Sequence, residues 1–261
     1  MPEFKFIKNK ASGKWVILAT KREDRPIIEG ETLCPFCPIE GDKPWKIRIV
    51  KNKYPFAEIH EIIIHSPEHD KNIGELTLEQ NNLIFKTFRE RMELYESMGK
   101  VYIFNNSGEH AGESIGHPHT QLVVIPKGVE DEIPPLPDAS DRGEVLETEH
   151  FEIFCPKTSE WPGEVWIKPK KDRGSYAGIT SEEITDLAKS VYRVINALKV
   201  REGKSFPFNF YIKPESDWYF RFIPRLKHLG GFEIGTGIAV NIEDPKETFT
   251  LLLSEFRGDK E

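Results

Sequence analysis

Apolar and polar positions along the chain predict a first series of strands with one long helix. Residues 61–65 are a β-branched run typical of a buried strand. Thr77, with Gln80 three residues later, has the pattern of a helix N-cap and capping box. The predicted elements are, in order, strands at 14–20 and 61–65, a helix from Leu78 to about Met98, and strands at 101–105 and 119–125.

A similar series follows a segment at 127–142, which is rich in proline and acidic residues and has the composition of a linker. The same number of residues separates Glu61 from Thr77 and Glu164 from Thr180. We interpret the recurrence as an internal duplication, and chance similarity of two α+β halves is the alternative. The predicted elements of the second series are a strand at 164–169, a helix from Thr180 to about Leu198, and strands at 208–213 and 219–224.

The recurrence predicts the fold class and the domain organisation. We expect an α+β fold in which each half is an antiparallel sheet with a long helix packed on it. The predicted domains are residues 1–130 and residues 131–261. The two halves are expected to form either one continuous sheet or two lobes.

Composition and charge narrow the class of protein. The 261 residues carry a formal net charge of −7, which disfavours nucleic-acid binding because that needs a broad basic face. A few well-placed arginines and lysines can still bind a small anion. The sequence shows neither a signal peptide nor an apolar stretch of bilayer-spanning length, and three cysteines are too few for a disulfide framework. We therefore predict a cytoplasmic protein with no membrane partner.

The strand at 119–125 and the loop before it suggest a phosphate site. Alternate residues of a strand share a face, so His117, His119 and Gln121 point the same way. The preceding loop, 105–114, is rich in glycine and small polar residues, and its backbone N–H groups and the Ser114 hydroxyl can approach phosphate oxygens. A histidine able to act as a nucleophile beside such a loop is a coherent catalytic site. The alternative is an exposed strand face.

Cys34 and Cys37 have the spacing of half a zinc site. No second cysteine pair exists, so histidines must complete any tetrahedral site, and spacing alone does not choose among them. A zinc-free pair of buried thiols is the alternative. The histidine candidates in this half of the chain are His60, His65, His69, His110, His117 and His119.

The segment Asn106-x-Gly108-x3-Gly112-x-Ser114-x2-His117-Pro118-His119-x-Gln121 resembles the active-site strand of the galactose-1-phosphate uridylyltransferases, which belong to the histidine triad superfamily. The resemblance implies a fold of duplicated histidine-triad-like units, a catalytic N-terminal domain with a zinc knuckle, and a C-terminal degenerate copy. Further segments follow the family's order: Arg22-x2-Arg25, Cys34-x2-Cys37, Asn52-Lys53-Tyr54, Ser66-Pro67-x-His69 and Trp161-Pro162-Gly163-Glu164.

This resemblance implies double displacement through a nucleotidyl-histidine, with His119 as nucleophile. Hydrolases of the superfamily carry a third histidine where this chain has Gln121, and an amide is no general acid or base, so transfer is favoured over hydrolysis. The implied catalytic residues are His119, Gln121 and Ser114. The implied nucleotide- and phosphate-binding residues are Arg22, Arg25, Asn52, Lys53, Asn106, Gly112, Ser114 and Gln121. The implied ligands of a structural zinc ion are Cys34, Cys37, His69 and His117.

The implied activity is that of a UDP-glucose–hexose-1-phosphate uridylyltransferase, which exchanges UMP between UDP-glucose and galactose 1-phosphate, in a homodimer. Two alternatives stay open: an ADP-sugar or dinucleoside-polyphosphate phosphorylase with the same nucleophile, and a non-catalytic zinc-stabilised nucleotide-binding protein. Arg22 and Arg25 are alternatively solvated surface arginines.

The second half departs from the family. Its strand at 217–224 contains no histidine, and an anion contact for Arg221 is open. The run at 230–237 resembles a family segment that reaches the sugar phosphate, sometimes in the partner subunit, or is a glycine-rich hairpin turn. The histidines assigned to surface or structural roles are His60, His65, His110, His150 and His228.

Overall fold

The computed structural model describes residues 4–25, 27 and 34–258. Its main feature is an antiparallel sheet of nine strands, and a small hairpin of β1 and β2 lies outside it. The strands are β1 Lys5–Lys8, β2 Trp15–Leu18, β3 Arg48–Lys51, β4 His60–Ile64, β5 Gly99–Ser107, β6 His119–Pro126, β7 Val145–Glu147, β8 Phe151–Phe154, β9 Val165–Pro169, β10 Phe208–Ile212 and β11 Phe220–Pro224.

The helices begin where the capping patterns predict. The Thr77 side chain accepts a hydrogen bond from the Gln80 backbone N–H, and Thr180 forms a complete capping box with Glu183. The second long helix runs one turn beyond the predicted Leu198. The α-helices are α1 Leu78–Tyr95, α2 Ser181–Glu202, α3 Gly231–Thr236 and α4 Pro245–Arg257.

The strand order of the large sheet shows the duplication. The order is β3-β4-β6-β5-β10-β11-β9-β8-β7. From the edge toward the centre, the first half contributes β3, β4, β6 and β5, and the second half contributes β8, β9, β11 and β10. The two halves therefore use the same strand order, and β7 is an additional edge strand. The halves join where β5 pairs with β10, with Asn106 opposite Asn209. The α+β prediction is confirmed, and of the two expected arrangements the chain adopts one continuous sheet. The domain division at residue 130 stays a prediction.

The long helices cover one face of the sheet. α1 and α2 pack on it and on each other, and α4 packs on α2. Alternate strand residues, such as Leu122, Val124, Phe210 and Phe220, belong to the core cluster shared with these helices. We call the opposite face the far face; it carries His119, Gln121, Tyr211 and Arg221.

Two segments without helices cover parts of the far face. Residues around Phe36 pack on Ile62 and Ile64 at one end. The proline-rich segment predicted as a linker lies on the other end, where Ile133 and Leu136 contact a cluster around Trp166 and Tyr219. This segment therefore connects the halves and also forms part of the core.

The side-chain contacts correct one detail of the sequence repeat. Glu61 lies on the helix side, where it binds Arg91 and Tyr95 of α1. Glu164 lies on the far face, where it binds Arg221. The two glutamates are therefore not equivalent, because a shift of one residue turns a strand side chain to the opposite face.

Candidate active site and metal centre

A cavity of about 210 Å³ lies on the far face over β3, β4 and β6. The side chains of Phe36 and Ile62 form an apolar part of the cavity wall. Six residues chosen from the sequence come together around it, although they are spread over almost a hundred positions of the chain: Arg25, Asn52, Lys53, Ser114, His119 and Gln121.

His119 is held in one tautomer at this cavity. Its Nδ1 lies 2.8 Å from the carbonyl oxygen of His117. A carbonyl only accepts hydrogen bonds, so Nδ1 carries the proton and Nε2 keeps a lone pair. Burial lowers the pKa of His119 to about 4, against the raising effect of the bond to the His117 carbonyl. The ring is therefore neutral at pH 7, which is the state that a nucleophile needs.

Gln121 lies two residues further along the same face and contacts a second histidine. Its Oε1 is 3.0 Å from His60 Nε2 and 3.5 Å from Asn52 Nδ2. His60 and Gln121 are both buried, and Phe56 packs its ring edge-on against the His60 ring. Burial lowers the pKa of His60 to about 4. The sequence predicts only a surface or structural role for His60. The structure places His60 in contact with Gln121, a predicted catalytic residue.

The two predicted arginines are half-buried rather than solvated on the surface. Arg22 donates to the Tyr54 carbonyl at 2.5 Å, lies over the Phe56 ring and stays outside the cavity lining. Arg25 lines the cavity and forms no ion pair with a described residue. Burial lowers the pKa of both arginines, and the charge of Arg25 lowers that of Arg22 further. Two like charges that form no ion pair with a described residue favour an anionic ligand.

The loop before β6 is fixed by asparagine side chains. Asn106 donates to the Gly112 carbonyl at 3.3 Å. Gly112 has φ of 84°, in the left-handed region that favours glycine. Asn209 of β10 donates to Asn106 Oδ1 and to the Ala111 carbonyl, each at 2.9 Å. Asn106 and Gly112 thus do not line the cavity, but they shape the loop that carries Ser114 to it.

The Cys/His quartet predicted from the resemblance forms beside this loop. The four ligand atoms of Cys34, Cys37, His69 and His117 lie within 4.8 Å of one another and could hold a metal ion. Cys37 Sγ is 3.3 Å from His69 Nδ1 and 3.5 Å from His117 Nδ1. The S–N edge of a tetrahedral zinc site is about 3.6 Å from the usual bond lengths. The distances in the quartet are therefore compatible with a tetrahedral site for a metal ion of the size of zinc.

The quartet also has a supporting hydrogen bond. His117 Nε2 lies 2.8 Å from the Ser66 carbonyl oxygen, so this nitrogen donates and Nδ1 is left to face the cysteines. Because His117 lies two residues before His119, the first residue of β6, an ion held here would fix the start of that strand.

His60 and Asn209 are the residues that sequence reasoning missed. His60 shares a strand face with Ile62 and Ile64 by simple alternation, but its contact with Gln121 depends on the pairing of β4 with β6. Asn209 is in the second half, and only the pairing of β10 with β5 brings it to Asn106. No local pattern in either segment gives these contacts.

Arg221, for which an anion contact was left open, is occupied by protein groups. Its Nε donates to Glu164 at 2.8 Å, and its terminal nitrogens bind Glu160 and the Tyr211 hydroxyl. The run at 230–237 forms the short helix α3, so its interpretation as a hairpin turn is wrong. Its implied sugar-phosphate contact stays a prediction.

The chain is similar to proteins of known function. The family model described as galactose-1-phosphate uridyl transferase, N-terminal domain, matches residues 58–124. ADP-glucose phosphorylase of Arabidopsis thaliana is 22 % identical, and the alignment covers 92 % of this chain and 90 % of that protein. Galactose-1-phosphate uridylyltransferase of Thermotoga maritima is 23 % identical, with 92 % and 94 % covered.

Solved structures share the fold over nearly the whole chain. A uridylyltransferase structure matches with a TM-score of 0.78 at 20 % identity, covering 98 % of this chain and 99 % of the other. The ADP-glucose phosphorylase of Arabidopsis thaliana, crystallised with bound ADP-glucose, gives 0.73 at 22 % identity, with 95 % and 97 % covered. In the described parts of the chain, every helix is too short or too polar to cross a membrane. The chain is thus similar to galactose-1-phosphate uridylyltransferases over residues 58–124, which include the histidine-bearing strand, and it shares the fold of the solved structures over nearly its whole length.

Proposed function

We propose that the protein is a nucleotidyltransferase that works by double displacement through a nucleotidyl-His119 intermediate. The observation that carries this proposal is the hydrogen bond from His119 Nδ1 to the His117 carbonyl. It leaves the Nε2 lone pair at a cavity that also holds Arg25, Ser114 and Gln121. A neutral imidazole beside anion-binding groups is suited to attack on phosphorus.

In the first step, a bond forms between His119 Nε2 and the α-phosphorus of a nucleoside diphosphate sugar. The bond from that phosphorus to the bridging oxygen breaks, and the sugar 1-phosphate leaves. In the second step, a phosphate oxygen of the acceptor attacks the same phosphorus, and the Nε2–phosphorus bond breaks. Arg25 and the Gln121 amide stabilise the charge on the non-bridging oxygens in both steps. Ser114 adds a hydroxyl donor.

A zinc ion is the proposed occupant of the Cys/His quartet. Two thiolates and two imidazoles suit zinc, and four protein ligands leave no coordination position for substrate. The role of the ion is structural: it stabilises the start of β6 and hence the position of the nucleophile.

The donor substrate we propose first is UDP-glucose, with galactose 1-phosphate as acceptor. The family match and the uridylyltransferase relative from Thermotoga maritima support it. A second candidate, transfer of AMP from ADP-glucose to inorganic phosphate, is favoured by the similarity to ADP-glucose phosphorylase of Arabidopsis thaliana. Both candidates use the same nucleophile and differ in the base and the acceptor.

Intact-protein mass spectrometry after mixing with UDP-glucose, or separately with ADP-glucose, tests the proposal. We expect a mass gain of one UMP with the first compound, and a gain of one AMP only with the second would favour the phosphorylase. His119→Ala should abolish either adduct, and His150→Ala is the matched control on a histidine away from the cavity. A folded wild-type protein that binds nucleotide without forming an adduct would support the non-catalytic alternative instead. The homodimer stays a prediction, which sedimentation analysis can test.

A further inference from the structure

His60 lies next to the site, but the proposed chemistry assigns it no role. It is 4 % exposed, and its ring contacts Phe56 and lies 3.0 Å from Gln121, which lines the cavity beside His119. A histidine in such a place is either packing or a positioning group. The hydrogen bonds of its two nitrogens distinguish these roles.

We assign the tautomer of His60 from the Phe56 backbone N–H, because the other donor near the ring, Asn52 Nδ2, has a second acceptor in Gln121 Oε1. The backbone N–H of Phe56 points at His60 Nδ1 with a nitrogen–nitrogen distance of 3.4 Å. A backbone N–H can only donate, so Nδ1 is an acceptor and the ring proton is on Nε2. Nε2 then donates to the oxygen 3.0 Å away, Gln121 Oε1.

Asn52 faces the same pair of side chains. Its Oδ1 accepts from the Tyr54 backbone N–H at 2.8 Å, so its Nδ2 faces the other way, and Nδ2 lies 3.0 Å from His60 Nε2 and 3.5 Å from Gln121 Oε1. With a proton on His60 Nε2, neither nitrogen accepts from the other, and each directs an N–H toward the Gln121 oxygen. Two donors, from His60 and Asn52, therefore converge on the one amide oxygen of Gln121.

The orientation of an amide is decided by its hydrogen bonds. With Oε1 held by two donors, the Gln121 NH₂ group has to point toward the cavity, where it can only donate. A phosphate oxygen is an acceptor, so this orientation suits a nucleotide phosphate. The reversed amide would present an oxygen to the anion and would repel it.

We propose that His60 is the positioning residue that fixes the Gln121 amide, so that its NH₂ group faces the phosphate of the nucleotidyl-histidine. His60 itself touches no substrate. The expected effect on the reaction rate rests on the proposed function. The His60 tautomer and the Gln121 amide orientation, in contrast, are properties of the free protein.

Two conservative variants test the geometry. His60→Gln can place an NH₂ group near the position of Nε2 and so keep a donor for Gln121, whereas His60→Asn is too short to reach it. We expect His60→Asn to slow adduct formation from the nucleotide sugar by about 10–100-fold, the range of losses when groups that orient metal-binding residues are removed, with KM changed less than about threefold. His60→Gln should recover most of the rate. His150→Asn controls for the substitution itself.

A double variant separates positioning from packing. In a Gln121→Ala background, His60→Asn should have no further effect, because the amide that His60 orients is gone. Equal losses in His60→Asn and His60→Gln, or a His60→Asn loss that persists in Gln121→Ala, would overturn the proposal. Thermal unfolding of every variant shows whether a loss of rate follows a loss of stability.

A measurement without substrate keeps the two proposals distinct. If the wild-type protein forms no adduct, the proposed function fails, and ¹⁵N chemical shifts of the His60 ring in the full-length protein decide the inference alone. A proton on Nε2 and a bare Nδ1 are expected at pH 7. A proton on Nδ1 would reverse the Gln121 amide and overturn the inference.

Discussion

The far face carries polar clusters in both halves of the sheet, but only the first half leaves its polar groups available to a ligand. Around β6, His119 Nε2 and the cavity side of Gln121 have no hydrogen-bond partner among the described residues. Around β11, Arg221 is 5 % exposed and is bound by Glu164, Glu160 and Tyr211.

The difference has a physical cause in what covers each half. The proline-rich segment covers the β11 cluster with Ile133 and Leu136. A charge under such a cover must be paired within the protein, because little water reaches it. Over β6 the segment around Phe36 leaves a cavity, so a ligand can satisfy the polar groups instead. The same strand arrangement thus leaves a cavity in one half and forms a closed core in the other.

Breaking the buried pair should give the largest change in stability. Arg221→Met leaves the Glu164 carboxylate buried and without its cation, and we expect a loss of about 3–5 kcal/mol in the free energy of unfolding. Denaturant unfolding measures it. The rate of adduct formation should change little, because the ion pair lies outside the cavity that His119 lines.

The exposed ion pair of Lys46 and Glu79 is the matched control. Lys46→Met should change the free energy of unfolding by less than about 1 kcal/mol. A similar loss of stability in both variants would show that the buried pair of Arg221 and Glu164 contributes no more than an exposed ion pair. A large rate loss in Arg221→Met would show that the second half takes part in catalysis.

Removing one metal ligand should have the next largest effect. Cys37→Ser should lose the bound zinc, and with it the stabilisation that binding gives, about 2.7 kcal/mol when free zinc is at 100 times its dissociation constant. Zinc content by mass spectrometry and unfolding with and without added zinc measure this. Cys155→Ala, at a lone buried cysteine, should leave zinc content unchanged. Unchanged zinc in Cys37→Ser would contradict the assigned quartet.

The smallest expected effect tests the bridge between the halves. Asn209→Ala removes the donors that hold Asn106 and the Ala111 carbonyl. We expect kcat/KM to fall about tenfold, equivalent to about 1.4 kcal/mol, because the loop that carries Ser114 is less well ordered. Asn196→Ala, at an asparagine that bonds Gly74 and Tyr192 on the helix side, is the control. A rate loss of the same size in both variants would argue against a specific role for Asn209.

Much of the local structure was predictable from the sequence because its signals are local. The N-caps at Thr77 and Thr180 and the β-branched run of β4 need only neighbouring residues. The His119 strand and the metal quartet were identified because motifs keep their spacing, and the resemblance then selected His69 and His117 among several histidines. The structure brings those four ligands together as predicted.

Contacts between distant segments were not predictable in this way. The sequence repeat equated Glu61 with Glu164, but the two side chains point to opposite faces. His60 had no assigned part in the site, and Asn209 was not singled out at all. A strand register depends on long-range packing, and a shift of one residue moves every side chain to the other face.

The sequence by itself determined the α+β class and the order of the elements, because each depends on residue type and spacing within one segment. It also predicted the nucleophile strand and, through the family resemblance, the four metal ligands. Only the tertiary structure decided that the halves share one sheet through β5 and β10, that His60 contacts Gln121 and that Arg221 is closed off. These features depend on the register between strands far apart in the chain and on which loop covers which face. Those choices are made by the packing of the whole core.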